Sequence, residues 1–235
     1  MPTINPSSPV GSLVAEQAGR ARVFEWFGID YCCGGKQPLD QACAEKKLQL
    51  SQVIAELAKA DVEPKANDDR NWEQLSTAAL IEHIVTTHHG YLRMELPRLT
   101  QLVNKVAGVH GERHPYLLEL KPLYDGLRRD LEAHLNEEET EIFPAIRLVS
   151  SRGSFGMLAS EAFGAIQRAE TEHISVGDRL HRINQMTDGY VLPADGCETF
   201  RAMLHALMTL ESDTHMHVHL ENNILFPKAL AASAA

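Results

Sequence analysis

Two eleven-residue stretches decide the fold: "HLNEEETEIFP" at residues 134–144 and "HVHLENNILFP" at residues 217–227. Each begins with histidine, carries glutamate four positions later and ends in Phe-Pro. Residues four apart lie on the same face of an α-helix, so each stretch presents one histidine and one glutamate to a common neighbour. The pairing predicts two equivalent helices, each of which supplies half of one site.

Helical periodicity continues on both sides of these stretches, whereas strand signals are almost absent. Four long helical patterns are predicted at 74–107, 115–149, 155–186 and 196–230, and breaks that contain Gly separate them. Four long helices with short connections predict an antiparallel up-down-up-down bundle over residues 74–232. The expected fold class is therefore all-α.

Each of the four helices carries one histidine on the apolar stripe that spacings of three and four residues turn toward the bundle axis. The first two stripes read Val85, His89, Leu92 and Leu96, then Leu123, Leu127, Leu131, His134 and Glu138. The last two read Ala169, His173, Val176 and Leu180, then Leu210, Thr214, His217, Glu221 and Ile224. His134 follows His89 by 45 positions and His217 follows His173 by 44, so the second helix pair resembles a copy of the first. Six donor side chains are thereby predicted to meet at one depth: His89, His134, Glu138, His173, His217 and Glu221.

A metal site explains the two glutamates better than a purely structural role. A single histidine on an apolar stripe is usually a hydrogen-bonded core residue, but carboxylates are almost never fully buried unless they are paired. Two unpaired buried carboxylates would cost several kcal/mol or become protonated, and a cation between them removes that cost. His88 is an alternative ligand on the first helix, although it lies off the stripe.

The donor set favours two metal ions over one. Imidazole nitrogen and carboxylate oxygen suit iron, manganese or zinc, but a catalytic zinc ion typically takes three protein ligands. If each glutamate bridges two ions, each ion receives two histidine nitrogens and two carboxylate oxygens. An oxo or hydroxo bridge from solvent would add a fifth ligand, which leaves about one octahedral position per ion for a small molecule.

The other histidines are expected to be solvated, because they lie off the stripes or in the breaks between helices. They are His83, His88, His110, His114, His181, His205, His215 and His219. The two that flank His217 should point to other faces of the helix.

A short helical unit is predicted at residues 11–60, followed by a polar linker at 61–73. Pro38 at a first helical position and Ser51 as an N-cap mark helix starts within it.

Between the helices of this unit lies "DYCCGGKQP", residues 30–38, in which Cys32 and Cys33 precede two glycines. A helix N-terminus and Lys36 would both favour the thiolate form, which is the reactive and metal-binding form. The alternative is that both cysteines are small core residues beneath Phe24 and Phe27. Cys43 and Cys197 have no predicted role.

Composition excludes several classes of function. The net charge of -10, with no cluster of basic residues, argues against a nucleic-acid partner. The first residues do not resemble a signal peptide, and no stretch reaches the roughly 18 apolar residues of a membrane span. Four cysteines, two of them adjacent, make a poor disulfide framework, so reduced thiols in the cytoplasm are expected.

These motifs resemble two known families. The paired histidine and His-x-x-x-Glu halves resemble the hemerythrin-like (HHE) di-iron bundle. "DYCCGGKQPL" at 30–39, together with "LENNILFP" at 220–227, resembles the iron–sulfur cluster repair di-iron family of the YtfE/ScdA type, over about residues 11–230. Hemerythrin-type oxygen carriers lack the dicysteine unit. The resemblance implies two non-haem iron ions. Their terminal ligands would be His89, His134, His173 and His217, and their bridging ligands would be Glu138 and Glu221.

The resemblance also implies a function under nitrosative and oxidative stress. Its partners would be proteins with damaged iron–sulfur clusters, and nitric oxide or oxygen would be the small-molecule ligand. Repair would proceed by iron donation or by reactions of nitric oxide at the reduced centre, with Cys32 and Cys33 as reactive groups. Whether the chain is a nitric-oxide-reducing catalyst or a stoichiometric iron donor stays open, as does its oligomeric state, a homodimer included. The alternatives are an oxygen- or nitric-oxide-binding sensor or carrier, and an iron-oxidising or storage protein.

Overall fold

The computed structural model describes residues 4–61, 72–152 and 157–234, and these contain helices and turns but no strand. The N-terminal unit comprises α1 (Val10–Glu16), α2 (Ala21–Phe27), α3 (Leu39–Glu45) and α4 (Leu50–Ala60). The helices that follow are α5 (Thr77–His83), α6 (Gly90–His110), α7 (Tyr116–Glu137), α8 (Phe143–Arg152), α9 (Met157–Met186), α10 (Glu198–Leu220) and α11 (Phe226–Ala234). Within the described ranges, no helix is long and apolar enough to cross a membrane.

Short π-helical segments join three pairs of these helices into longer ones. They are π1 (Ile84–His89), π2 (Glu138–Ile142) and π3 (Glu221–Leu225). The bundle therefore consists of α5–π1–α6, α7–π2–α8, α9 and α10–π3–α11. The predicted all-α class and the four-helix bundle are confirmed.

Two apolar cores fill the bundle, one on each side of the six predicted ligands. The larger core takes its residues from α6, α7, the C-terminal half of α9 and the N-terminal half of α10. The smaller core takes most of its residues from α5, α8, α11, the N-terminal half of α9 and the π segments, and Ala15 of α1, Trp72 and Leu220 add to it. Along the chain, the first and third bundle helices pass from the smaller core to the larger one, and the second and fourth pass back. The helices therefore alternate in direction, and a polar layer lies between two apolar regions.

The π segments explain how two glutamates and two Phe-Pro pairs fit into continuous helices. The N–H of Phe143 bonds to the carbonyl of Glu138, and the N–H of Phe226 bonds to that of Glu221, so both turns are one residue wider than an α turn. In each case a proline follows at once. Since proline lacks the N–H that an α-helical hydrogen bond needs, the wide turn falls where the series of α-helical hydrogen bonds would be interrupted anyway.

The first π segment shifts the buried face that the sequence predicts. The expected stripe included Val85, four residues before His89, but Val85 is only half-buried whereas Ile84 is fully buried. A wide turn brings residues five apart into register, so Ile84 replaces Val85 on the core face. On the second helix Leu123 is likewise half-buried, and the neighbouring Tyr124 fills the core.

The N-terminal unit packs a core of its own against α10. That core includes Val10, Phe24, Tyr31 and Leu39, and Val218 of α10 completes it. Inside the unit, Arg20 bonds to both carboxylate oxygens of Asp61 at 2.8 Å and so ties the start of α2 to the end of α4.

Two helix starts in this unit differ from the prediction. Pro38 is the N-cap of α3 rather than its first residue. Gln49, not Ser51, caps α4, because Leu50 already has helical geometry. Most of the predicted linker, residues 62–71, lies outside the described residues. The last residues of that linker form a 3₁₀ helix, Trp72–Gln74, whose tryptophan is buried in the smaller core.

Candidate metal centre

The structure brings all six predicted ligands together as two groups that share both glutamates. One group contains His89 and His217, and the other contains His134 and His173; Glu138 and Glu221 belong to both. Within each group, one donor atom from every residue lies within 4.8 Å of the others. His88, the alternative on the first helix, belongs to neither group.

Each carboxylate spans the two histidine pairs. Oε2 of Glu138 lies 3.3 Å from Nε2 of His89, and its Oε1 lies 3.1 Å from Nε2 of His134. Oε1 of Glu221 lies 3.2 Å from Nε2 of His217, and its Oε2 lies 3.2 Å from Nε2 of His173. Every glutamate thus offers one oxygen to each side, which is the arrangement of a carboxylate that bridges two ions.

Burial and charge show that this donor set fits cations. Both glutamates are fully buried, and none of their four oxygens has a hydrogen-bond partner within the described part of the chain. Burial by itself would raise the pKa of Glu221, but the charge of His217 and the close approach of His173 at 3.2 Å hold it well below its usual range. Burial would lower the pKa of His134, but the charge of Glu138 raises it to about 10. Without metal, a proton on His134 offsets part of the buried negative charge, and metal ions at the same place would displace such a proton.

Three of the four histidines are fixed from behind through Nδ1. The Nδ1–H of His89 donates to Glu139 at 2.7 Å, that of His134 donates to Glu172 at 2.7 Å, and that of His173 donates to the Oδ1 of Asn222 at 2.9 Å. Because carboxylate and amide oxygens accept but do not donate, these contacts place the proton on Nδ1 and leave Nε2 free for a metal ion. Each donor group therefore contains one histidine that is supported by a carboxylate.

Aromatic rings support the histidines from the sides. Phe143 stacks on His89 with ring centroids 5.7 Å apart, and Phe226 stacks on His173 at 6.2 Å. His88 stacks on His217 at 5.6 Å with an angle of 7° between the rings, while its Nδ1 bonds to Asp213 at 3.0 Å. His88 thus lies beside the centre as a neighbour of a ligand.

The expectation that the remaining histidines are solvated is wrong for four of them: His83, His88, His110 and His219 are buried. Periodicity along one helix identifies the face toward the bundle axis, but a neighbouring element can cover another face. His219 is the clearest case, since its ring packs edge-on against Tyr31 of the N-terminal unit at 5.5 Å.

The dicysteine turn lies directly against π3. The amide of Asn223 donates to the carbonyls of Tyr31 and Cys32 at 3.3 and 2.9 Å. The contact is so close that a Cβ added to Gly35 would lie 2.2 Å from the Asn223 side chain. The neighbouring Asn222 supports His173, so the turn and the metal centre share consecutive residues.

The two thiols differ in their surroundings. Cys32 is buried and Cys33 is half-buried, and their sulfur atoms lie 3.9 Å apart. The predicted thiolate form is wrong for Cys32 in the metal-free protein. A hydrogen bond to Cys33, burial and the charge of Asp30 raise the pKa of its thiol well above the usual value. Lys36 does not offset them, because its side chain is 84% exposed and its ammonium lies 3.8 Å from Glu170.

Comparison with known proteins matches both parts of the chain. Residues 6–61 match the ScdA N-terminal Domain of Unknown function (DUF542), and residues 80–229 match the Hemerythrin HHE cation binding domain. The chain is 35% identical to the iron–sulfur cluster repair protein YtfE of Enterobacter sp. (strain 638) over 95% of its own length and 96% of that protein. It is 34% identical to the iron–sulfur cluster repair protein ScdA of Staphylococcus haemolyticus (strain JCSC1435), over 96% and 99%.

The chain belongs to the iron–sulfur cluster repair protein family. The match to the cation-binding domain of this family contains all six residues of the two donor groups, and the N-terminal match contains both cysteines. The family's two parts are in contact here through Asn223, His219 and Tyr31. These contacts join residues 188 and 192 positions apart, which is why helical periodicity did not predict them.

Proposed function

We propose that this chain repairs iron–sulfur clusters damaged by nitric oxide or oxidants, and that two non-haem iron ions in the bundle carry this function. The observation that supports it best is the pair of buried donor groups that share Glu138 and Glu221. Relatives that match almost the whole chain are named iron–sulfur cluster repair proteins. The proposed partners are therefore proteins with damaged clusters.

The residues of the centre have distinct roles in this proposal. His89 and His217 would hold one iron ion, His134 and His173 the other, and the two glutamates would bridge them. When bound, such a pair of ions supplies reversible redox chemistry toward nitric oxide or oxygen and a source of iron for the client. The protein orients three of the histidines through Glu139, Glu172 and Asn222, whose contacts at Nδ1 leave Nε2 for the ion, and surrounds the layer with apolar residues that exclude water.

Cys32 and Cys33 would form the contact with the client. They lie on a cleft of about 190 Å³ between the dicysteine turn and the bundle, where a half-buried thiol can reach a partner's cluster. All four cysteines of the chain are free. Free thiols suit the reducing cytoplasm, where we propose that the repair takes place.

The test is metal analysis with Mössbauer spectroscopy, combined with reactivation of an iron–sulfur enzyme that nitric oxide has inactivated. We expect about two iron ions per chain, and loss of both iron and repair in Glu221→Gln and in His134→Ala. The matched control is Glu141→Gln, which changes an exposed glutamate of π2. One zinc ion per chain, or full repair by an iron-free variant, would overturn the proposal.

A second set of variants separates the roles of the two parts. Cys32→Ser and Cys33→Ser should keep both iron ions and lose repair, whereas Cys197→Ser, at an exposed position, should keep both. Unchanged repair in the double variant Cys32→Ser/Cys33→Ser would remove the cysteines from the proposal. A stable, reversible oxygen adduct without repair would favour a carrier, and repeated turnover of added ferrous iron would favour an iron-oxidising protein.

A further inference from the structure

A third group of potential metal donors lies outside the bundle, in the dicysteine turn. Donor atoms of Asp30, Cys32 and Cys33 all lie within 4.8 Å of one another. The two Sγ atoms are 3.9 Å apart, and Oδ1 of Asp30 is 3.2 Å from Sγ of Cys32. Around a tetrahedral ion with ordinary metal–sulfur and metal–oxygen bonds, two sulfurs lie about 3.8 Å apart and a sulfur and an oxygen about 3.6 Å apart. The metal-free turn is already close to that geometry.

The chain geometry keeps this dithiol available for a metal. Adjacent residues have Cα atoms about 3.8 Å apart across a trans peptide, which is shorter than an unstrained disulfide needs. Cys32 and Cys33 are accordingly free. A vicinal pair that resists disulfide formation can still turn both sulfurs toward one ion.

Hydrogen bonds hold the three donors in place from both sides. Asp30 accepts bonds from the backbone N–H groups of Cys32, Cys33 and Gly34 at 2.9–3.0 Å. On the other side, Asn223 binds the carbonyls of Tyr31 and Cys32. An ion that binds here meets a preformed turn, so little ordering entropy opposes it.

The charge of the group favours a cation. Two thiolates and a carboxylate carry three negative charges, and Lys36, the cation that lines the cleft, turns its ammonium outward toward Glu170. In the metal-free protein this environment keeps the proton on Cys32, because its contact with Cys33, its burial and Asp30 raise the pKa of the thiol. A divalent ion would replace the two thiol protons and release them to solvent, so that two metal–sulfur bonds form as two S–H bonds break.

We propose that Asp30, Cys32 and Cys33 form a third metal site, which holds one thiophilic divalent transition-metal ion at the mouth of the cleft between the two parts of the protein. The physiological occupant would be ferrous iron. Asn222 lines the same cleft and also holds His173 of the bundle centre. The site is therefore placed to pass iron between a client and the centre. That role rests on the proposed function, whereas the existence of the site does not.

The test uses the full chain with its bundle centre already filled, titrated with Co²⁺ under anaerobic conditions. We expect one additional ion per chain, a thiolate-to-cobalt charge-transfer band in the near ultraviolet and release of about two protons per ion bound. Cys32→Ser and Cys33→Ser should each lose the band. Asp30→Asn, which keeps the Oδ1 acceptor for Cys32 and Cys33 but loses the charge and the Oδ2 acceptor for Gly34, should weaken binding about ten-fold or more.

The controls are Asp40→Asn, at an exposed carboxylate of the same unit, and Cys197→Ser, at an exposed thiol elsewhere. Both should bind Co²⁺ as the parent protein does. Retained helicity and retained iron in the cysteine variants would show that they fold. The proposal is wrong if the parent shows no thiolate band, if the band survives in Cys32→Ser, or if Asp30→Asn binds as tightly as the parent.

The outcomes also separate this site from the proposed function. Cobalt binding without repair activity would leave the site standing and remove the proposed function. Repair that depends on both cysteines, in a protein that binds no cobalt at the turn, would remove the third metal site and leave the proposed function standing.

Discussion

The second and fourth bundle helices carry the same ligand motif, yet the surfaces around it differ. Glu139 follows Glu138, and Asn222 follows Glu221; both hold the Nδ1–H of a histidine on the preceding bundle helix. At the next position the surroundings of the two helices differ: Thr140 is exposed to solvent, whereas Asn223 binds the dicysteine turn.

The residues two positions before each glutamate also differ in burial, and again the fourth helix has the buried one. Asn136 is exposed, while its counterpart His219 is fully buried against Tyr31. A duplicated motif therefore identifies the ligands through what its copies share. The face on which a partner unit docks is identified by the positions at which the copies differ.

The largest effect should come from the residues that the two copies share. Glu138→Gln and Glu221→Gln should each lose both ions, because each carboxylate serves both donor groups. Metal analysis of the purified variants checks this, with Glu141→Gln as the control. A variant that retains one tightly bound ion would show that the two groups bind independently.

The next effect concerns the support behind the histidines. Glu139→Ala and Asn222→Ala should each lower the affinity for metal about ten- to hundred-fold, since loss of such an outer contact frees the ring. Glu139→Gln should fall between the parent and Glu139→Ala, because an amide still accepts the Nδ1–H bond but carries no charge. Competition with a chelator measures these affinities. A stronger effect of Asn222→Ala than of Glu139→Ala would show that charge is not what distinguishes the two supports.

A pH-dependent effect should distinguish His219 from Asn136. Burial lowers the pKa of His219 to about 4, against 6.5 for a free histidine. Between these two pKa values the unfolded chain therefore binds a proton that the folded chain does not bind. The stability that this histidine confers is complete above pH 6.5 and is lost as the pH falls toward 4. Between pH 7 and pH 5 this loss is about 2 kcal/mol.

Denaturant unfolding of the metal-free protein at both pH values measures this loss. His219→Asn, which copies the other helix, should show a smaller loss than the parent. Asn136→His, at the exposed counterpart, should leave the pH dependence of the parent unchanged. Equal losses in the parent and in His219→Asn would contradict the assignment.

The smallest effect should come from the docking amide. Asn223→Ala should lower the free energy of unfolding by about 1–2 kcal/mol and speed alkylation of Cys32, because two carbonyls of the turn lose their donor. Thr140→Ala, at the equivalent exposed position, should change neither quantity. Calorimetry and mass spectrometry of the alkylated peptide measure the two effects.

A double-mutant cycle with Gly11 sharpens this last comparison. A Cβ at Gly11 would lie 2.6 Å from the Oδ1 of Asn223, so Gly11→Ala should destabilise the parent more than it destabilises Asn223→Ala. Additive effects would show that Asn223 is free to move away from the turn.

Helical spacing predicted the bundle and all six residues of the donor groups, because a face toward the axis repeats along each helix. It did not predict π1, so Val85 was placed on the core face where Ile84 lies. A wide turn depends on bonds and packing that the apolar pattern does not encode. It also missed His219 and Asn223, whose partners lie 188 and 191 residues away in the N-terminal unit. Those residues could have been found by asking where the two copies of the motif differ.

The wide turns also set the rotational phase of the chain. In an unbroken α-helix a side chain five residues later lies about 140° further round the axis, and Phe143 would then turn away from the face that carries Glu138. The extra residue of π2 brings the phenylalanine back over the glutamate, where it reaches His89, and π3 does the same for Phe226 and His173. Deleting one residue from either turn would let a regular α turn form and would keep the phenylalanine on the same face, whereas an α-helix of unchanged length would rotate everything beyond the turn by about 100°. The positions of both phenylalanines at the metal layer therefore depend on the wide hydrogen bonds of π2 and π3 as well as on the number of residues in these turns.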